Sequence, residues 1–289
     1  FKRLLQQIKF YRVHLYVPFF NFIADISIAW TIQPIDLKFK NVQTLLNAYD
    51  RKYRNKNFCT NDPVQIPMRY KTPLDREISA FLVSVICWGN RKAIIQAATR
   101  WMDAMGSSPY EFVQNYSAKD YTYVKSIYYR TFNSEDCHHL LLQLQKLLRQ
   151  YASIEACFMK LPNCNLEERI RFFRRTLLNK TTSVRLHHHI SNIDRNAASK
   201  RLCLFLKWMV RSGEDGLDLG VWKNLKPFEL MIPMDVHVGK AAFDLNIINS
   251  RTANWKRVKE ISERLTQFDP LDPIKYDTAL FCIGAGFTI

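Results

Sequence analysis

Apolar positions recur at helical spacing through most of the chain. Within residues 36–54, Leu37, Val42, Leu45, Leu46 and Tyr49 fall on one helical face, and the basic cluster Arg51, Lys52, Arg54 and Lys56 follows. Residues 61–73 hold three prolines and read as loop. Thr72-Pro73-Leu74-Asp75 reads as a helix start, with Thr72 as N-cap and Pro73 at the first helical position. The helix it opens, residues 75–88, is apolar almost all round, the mark of a centrally buried helix. Gly89 ends it and Asn90 caps the next, residues 91–105, so the pair is expected as an αα-hairpin. Further helices are predicted at 109–114, 134–151, 166–178, 197–210, 251–265 and 273–283, with another opening at 232–238. Polar loops are expected at 187–196 and around Gly213, Asp215 and Gly216.

Composition agrees with an all-α fold. Glycine (8) and proline (11) are too scarce for a turn-rich sandwich or barrel. At 289 residues the chain can bury the core of one large domain or two modest ones. Hydrophobic residues at 47% and charged residues at 24% exclude a disordered tail and a membrane bundle. The net charge of +16, from 42 basic and 26 acidic residues, points to a polyanion, either nucleic acid or an anionic membrane face. Seven scattered cysteines without a Cys-x-x-Cys pair signal neither a zinc ribbon nor a disulfide framework, and fit a reducing intracellular compartment. Residues 1–36 stand apart as a leader. Its apolar run, residues 17–30, contains Pro18, Asn21 and Asp25, which suits an ordinary packed segment better than a signal peptide or a membrane span.

Candidate chemistry gathers at two places. On the helix after the 187–196 loop, Leu204, Lys207 and Arg211 lie about 40°, about −20° and about 20° around the axis from Lys200, which makes one basic stripe. Such a stripe is either the solvated face of a core helix or a working surface. In the second reading, positive potential from first-turn amides and from Arg201 and Lys207 favours the uncharged, nucleophilic form of the Lys200 amine. The second place is Ile232-Pro233-Met234-Asp235-Val236-His237-Val238. Pro233 imposes an extended entry and Asp235 falls at the head of the following helix, as an N-cap or as a carboxylate that stabilises a developing cation.

A lysine at a helix head followed by Pro-x-Asp-x-x-Val resembles the helix-hairpin-helix DNA glycosylases, in which a Lys and an Asp face the sugar of a flipped-out nucleotide. The Gly-rich hairpin of that superfamily is replaced here by Ile193-Asp194-Arg195-Asn196-Ala197-Ala198-Ser199, and Lys200 and Asp235 are unusually far apart in sequence. Both departures are similar to the archaeal 8-oxoguanine DNA glycosylases. In those enzymes a later helix gives an Asp and, one turn on, an aromatic to the base pocket, and Asp277 and Phe281 match that spacing. Closer still, Cys87-Trp88-Gly89-Asn90-Arg91, His189-Ile190-Ser191-Asn192, the run from Lys200 to Arg211, Asp218-Leu219-Gly220-Val221-Trp222 and Asp269-Pro270-Leu271-Asp272-Pro273 resemble the bacterial DUF2400 family. The likeness runs from Leu37 to the C-terminus.

The glycosylase resemblance implies an all-α domain over residues 37–289, with two interleaved helical halves and a cleft between them. It implies a lesion-specific glycosylase with β-lyase activity, acting on double-stranded DNA that carries a damaged base such as 8-oxoguanine. Lys200 and Asp235 would be catalytic. Trp88, Asn90, Arg91, Asp277 and Phe281 would hold the substrate base, and Arg201, Lys207, Arg211 and His237 would contact DNA. A nucleoid-associated cytoplasmic monomer is expected, with no cofactor, no metal and no membrane partner. The alternatives are a binding protein that kept the fold and lost the chemistry, and a small-molecule hydrolase using His138, His139 and His187–His189. Those histidines lack metal-ligand spacing, and Cys282 alone near the end argues against a C-terminal iron–sulfur loop.

Overall fold

Polar side chains that accept backbone N–H groups set where the helices begin. Thr72, Asn90, Asn133, Asn165 and Asn254 each accept a backbone N–H from the third residue on, satisfying amides that a helix start leaves unpaired. Asn133 and Asn165 are answered reciprocally by Asp136 and Glu168, which close capping boxes. The computed structural model describes residues 37–289 apart from 56, 57, 59, 179–183 and 215, with side chains from Asn41 onward. The leader, residues 1–36, lies outside the described residues, as do Lys56, Cys59 and Asp215.

The helices run α1 Leu37–Tyr53, α2 Pro73–Val85, α3 Arg91–Ala104, α4 Pro109–Asn115, α5 Tyr121–Val124, α6 Ser134–Tyr151 and α7 Ile154–Phe158. They continue as α8 Leu166–Leu177, α9 Val184–His189, α10 Lys200–Val210, α11 Val236–Asp244, α12 Trp255–Thr266 and α13 Asp277–Gly284. Among the described residues there is no strand, only two isolated bridges, Tyr129 with Phe132 and Ala197 with Asn254. The fold is all-α. Residues 37–289 form one compact unit.

α2 lies at the centre, as its apolar circumference requires. Phe81 meets Phe173 of α8 and Phe205 of α10 edge-on, with ring centroids 5.5 and 5.4 Å away. Trp222 meets Phe205 edge-on and packs on Phe158, and its indole N–H donates to the buried carboxylate of Glu77, 2.7 Å away. Glu77 also accepts the first amides of α7, Ile154 and Glu155, at 2.8 and 2.9 Å. Burial pushes its carboxyl up to about 7 against the pull of those donors. One acid on the central helix thus ties α7 and the Trp222 loop to the core.

Three expectations are corrected. α2 ends at Val85, so the link to α3 is residues 86–90 rather than a two-residue turn, with Gly89 at φ +98°. His187–His189 belong to α9 rather than to a loop, because Leu186 and His189 are buried and Arg185 ties the helix to Glu135 and Asp136 at the start of α6. The 61–73 segment, read as loop, winds into two short 3-10 turns, Pro63–Gln65 and Pro67–Arg69.

Candidate active site

Two helix heads meet at Lys200 and Asp235. Asp235 is the extended N-cap of α11. Its Oδ1 accepts the N–H groups of His237 and Val238 at 2.9 and 3.0 Å. Its Oδ2 is left to face the Nζ of Lys200 at 3.4 Å. Lys200 is the first residue of α10, and both side chains keep solvent access, at 30% and 20% exposure. α10 has no side-chain cap of its own. Ser199 sits at φ +50°, and its buried hydroxyl has no hydrogen-bond partner among the described residues.

The pair opens into a cleft of about 690 Å³, within the span of small-molecule sites. Three ion pairs line it: Lys200 with Asp235, Arg91 with Asp62 at 3.5 Å, and Lys207 with Asp277 at 3.0 Å. Its formal charges therefore balance, in a chain whose net charge is +16. Aromatic rings supply the apolar wall. Phe281 has His237 on its edge at 5.2 Å and the Arg91 guanidinium over its face at 4.3 Å, with Phe58 beyond. Trp88 lines the other part. Its carbonyl accepts the Tyr129 hydroxyl at 2.6 Å, and the Arg201 guanidinium lies 4.7 Å from its ring centroid.

Gly89 is required where it stands. A Cβ there would lie 2.3 Å from Nη1 of Arg130 and 2.9 Å from the Tyr129 hydroxyl, at a φ that side chains rarely adopt. The turn it makes carries Trp88, Asn90 and Arg91 into the cleft, with Asn90 as the N-cap of α3.

All seven residues expected to act on the sugar or the base line this cleft: Lys200 and Asp235, with Trp88, Asn90, Arg91, Asp277 and Phe281 beside them. His237 and Lys207 line it too, whereas Arg201 and Arg211 do not. The basic stripe is corrected. Lys200 keeps solvent access at the cleft, but Lys207 and Arg211, the C-cap of α10, turn into the core and not to solvent. Lys207 is 5% exposed and lies between Asp277 and Asp218, which is 3.6 Å away. Arg211 is 2% exposed, paired with the buried Asp218 and donating to Asp272 at 2.8 Å. Both charges are taken up by carboxylates inside the fold. Arg201 is likewise turned inward, onto the carbonyls of Val85 and His188 at 2.8 and 3.1 Å.

The histidines form no metal centre: among the described residues no cluster of His, Cys, Asp or Glu could hold an ion. His189 is buried 3.6 Å from Asp136 and its imidazole is pushed down by burial, while His138 pairs with the Tyr116 hydroxyl at 2.8 Å. Among the described residues no helix is long and apolar enough to cross a membrane.

Sequence reasoning missed Asp62 and Phe58. Asp62 precedes Pro63 and caps its 3-10 turn by accepting from Val64, so the Asp-Pro pair was a usable signal. Phe58 has no such mark, and only the folded chain brings it 5.0 Å from the Arg91 guanidinium.

No curated protein and no solved structure matches the chain. A family model described as a protein of unknown function, DUF2400, matches residues 62–286, which takes in every residue of the Lys200–Asp235 cleft except Phe58. The chain belongs to the DUF2400 family.

Proposed function

We propose that the chain is a lesion-specific DNA glycosylase with β-lyase activity, working through a Schiff base on Lys200. One observation carries the reading. A solvent-reached primary amine stands 3.4 Å from a carboxylate whose other oxygen is held by helix amides, inside a cleft walled by Trp88 and Phe281. That is the arrangement of an amine nucleophile with a fixed acid–base partner. The chain's net charge of +16 suits a polyanionic substrate. The order α9, turn, α10, with the lysine at the head of α10, supports a helix-hairpin-helix reading in which helical halves flank the cleft. DNA then places the protein at the nucleoid, with an oxidised purine such as 8-oxoguanine as the favoured lesion.

In this reading the damaged nucleotide is flipped into the cleft. The Lys200 ammonium gives a proton to the departing base, and the amine so freed forms a bond to C1′ as the C1′–N bond breaks and the base leaves with the bonding electrons. Asp235 stabilises the cationic sugar and accepts the proton that the attacking nitrogen sheds. Ring opening gives the C1′ iminium. Loss of a C2′ proton then expels the 3′ phosphate and nicks the strand. Trp88 and Phe281 offer stacking surfaces to the base, and Asp277, fixed by Lys207, offers an acceptor to its N–H groups.

The test is borohydride trapping on oligonucleotide duplexes carrying single oxidised purines or a single abasic site. A covalent adduct that disappears in Lys200→Gln is the expected result. No adduct with any of these duplexes overturns the reading.

A further inference from the structure

We infer that Arg201 is the positioning residue of the Lys200 site, an internal clamp that fixes the head of α10 against the ends of α2 and α9 and against the Trp88 ring. This rests on the Lys200 reading only for its catalytic consequence. The clamp itself follows from geometry. α10 begins without a side-chain cap, and Ser199 before it is in the left-handed region. The helix start is therefore held by something else.

Beside the Lys200–Asp235 pair, Arg201 is in place to hold it. Its Nη1 donates 2.8 Å to the carbonyl of Val85, the last residue of α2. Its Nη2 donates 3.1 Å to the carbonyl of His188, in the last turn of α9. Carbonyls at helix C-termini lack intrahelical partners and carry partial negative charge, so a guanidinium bridging two of them is well matched. The same planar group lies 4.7 Å from the Trp88 ring centroid. Three parts of the structure are thus joined through one side chain adjacent in sequence to Lys200: the carbonyl end of α2, the carbonyl end of α9 and the indole on the cleft wall.

The arrangement has a cost. Among the described residues no carboxylate pairs with Arg201, and burial pulls its guanidinium down to about 10. An apolar side chain would fill the space more cheaply, but it cannot donate two divergent hydrogen bonds while lying against an indole. Lysine in its place keeps the charge and loses the fork. The clamp therefore predicts that Arg201→Lys fails where a simple charge requirement would let it succeed.

The experiment uses the full chain, with Arg201→Lys and Arg201→Gln beside wild type, and a duplex carrying one abasic site as probe. Two readouts are taken: the borohydride-trapping rate against the dissociation constant for that duplex, and hydrogen exchange of the amides of Leu202 and Cys203. Those amides donate to the Ser199 carbonyl in the first turn of α10. In both variants the amides are expected to exchange faster. Trapping should slow by about 100-fold, the scale of an ångström-level misplacement, with the dissociation constant unchanged. Unchanged exchange in both variants, or trapping restored to the wild-type rate by lysine, overturns the clamp. Equal losses in rate and affinity also overturn it, since they would make Arg201 a DNA contact. If wild type gives no adduct, the glycosylase reading fails and the exchange measurement still decides the clamp.

Discussion

Gly284 of α13 lies against the backbone of His237 in α11, so close that a Cβ built on Gly284 would fall 1.9 Å from the His237 carbonyl oxygen. His237 is two residues after Asp235 and donates its N–H to it. The glycine therefore sets how deeply α11 seats, and with it where the Asp235 carboxylate stands relative to Lys200. A methyl group at Gly284 has backbone, not a flexible side chain, in its way. Gly284→Ala should lower stability by about 1–3 kcal/mol, the usual cost of overpacking, read as a fall in urea midpoint. Trapping should fall further than the loss of folded protein accounts for.

Glu77 gives a pH dependence whose sign is fixed by burial. Its carboxyl is pushed up from 4.5 to about 7 in the folded state. Between those values the folded chain holds a proton that the unfolded chain has released. The contribution is therefore full below about 4.5 and is lost as pH rises through about 7. Glu77→Gln, permanently neutral, should remove that part of the slope. The check is the difference in urea midpoint between wild type and variant across pH 5–8, a comparison that cancels the opposing titration of His138 and His189. A difference that does not change with pH would mean that the Ile154, Glu155 and Trp222 donors keep the acid ionised.

Arg211 tests the corrected position of the basic stripe. Buried against Asp218 and Asp272, it is a structural charge. Arg211→Gln leaves the buried Asp218 with less compensation and should cost about 3–5 kcal/mol, as breaking buried ion pairs does. Measured on the folded fraction, the slope of log affinity for duplex DNA against log salt should be unchanged. A slope smaller in magnitude by about one would make Arg211 a phosphate contact.

The helix starts at 73, 91, 109, 134 and 166 were legible because their signals are local, whereas α10 and α12, read from 197 and 251, begin at Lys200 and Trp255. Thr72-Pro73 and Asn90 announce a cap and a first turn within four residues. α9 was not legible, since its six residues are held by the burial of Leu186 and His189 and by the bonds of Arg185 to α6, contacts that arise only in the folded chain. The stripe on α10 was half legible. Arithmetic at about 100° per residue put Lys200, Lys207 and Arg211 on one face. It could not say which way the face turns, because the carboxylate that meets the outer edge of Arg211 comes from Asp272, 61 residues on. The cleft was legible where resemblance supplied paired residues, Lys200 with Asp235 and Asp277 with Phe281. Asp62 and Phe58 entered only with the tertiary packing.

Asp235 does two jobs that substitution can separate. Its Oδ1 caps α11, and its Oδ2 faces Lys200. Asparagine keeps a carbonyl oxygen that can accept from His237 and Val238, so Asp235→Asn should melt close to wild type. Alanine removes the cap and should cost about 0.5–2 kcal/mol. The chemistry divides differently. Neither side chain carries the negative charge that meets a sugar cation, so both variants should lose about 10²- to 10³-fold in trapping rate with a lesion-bearing duplex, the scale of removing one preorganised electrostatic contact. Duplex affinity should not fall in either variant, since a negative charge facing a polyanion has been removed. The expected pattern is thus a stability loss in alanine alone and a rate loss in both. If asparagine traps at the wild-type rate, the carboxylate is a cap and nothing more, and the amine of Lys200 draws its reactivity from elsewhere.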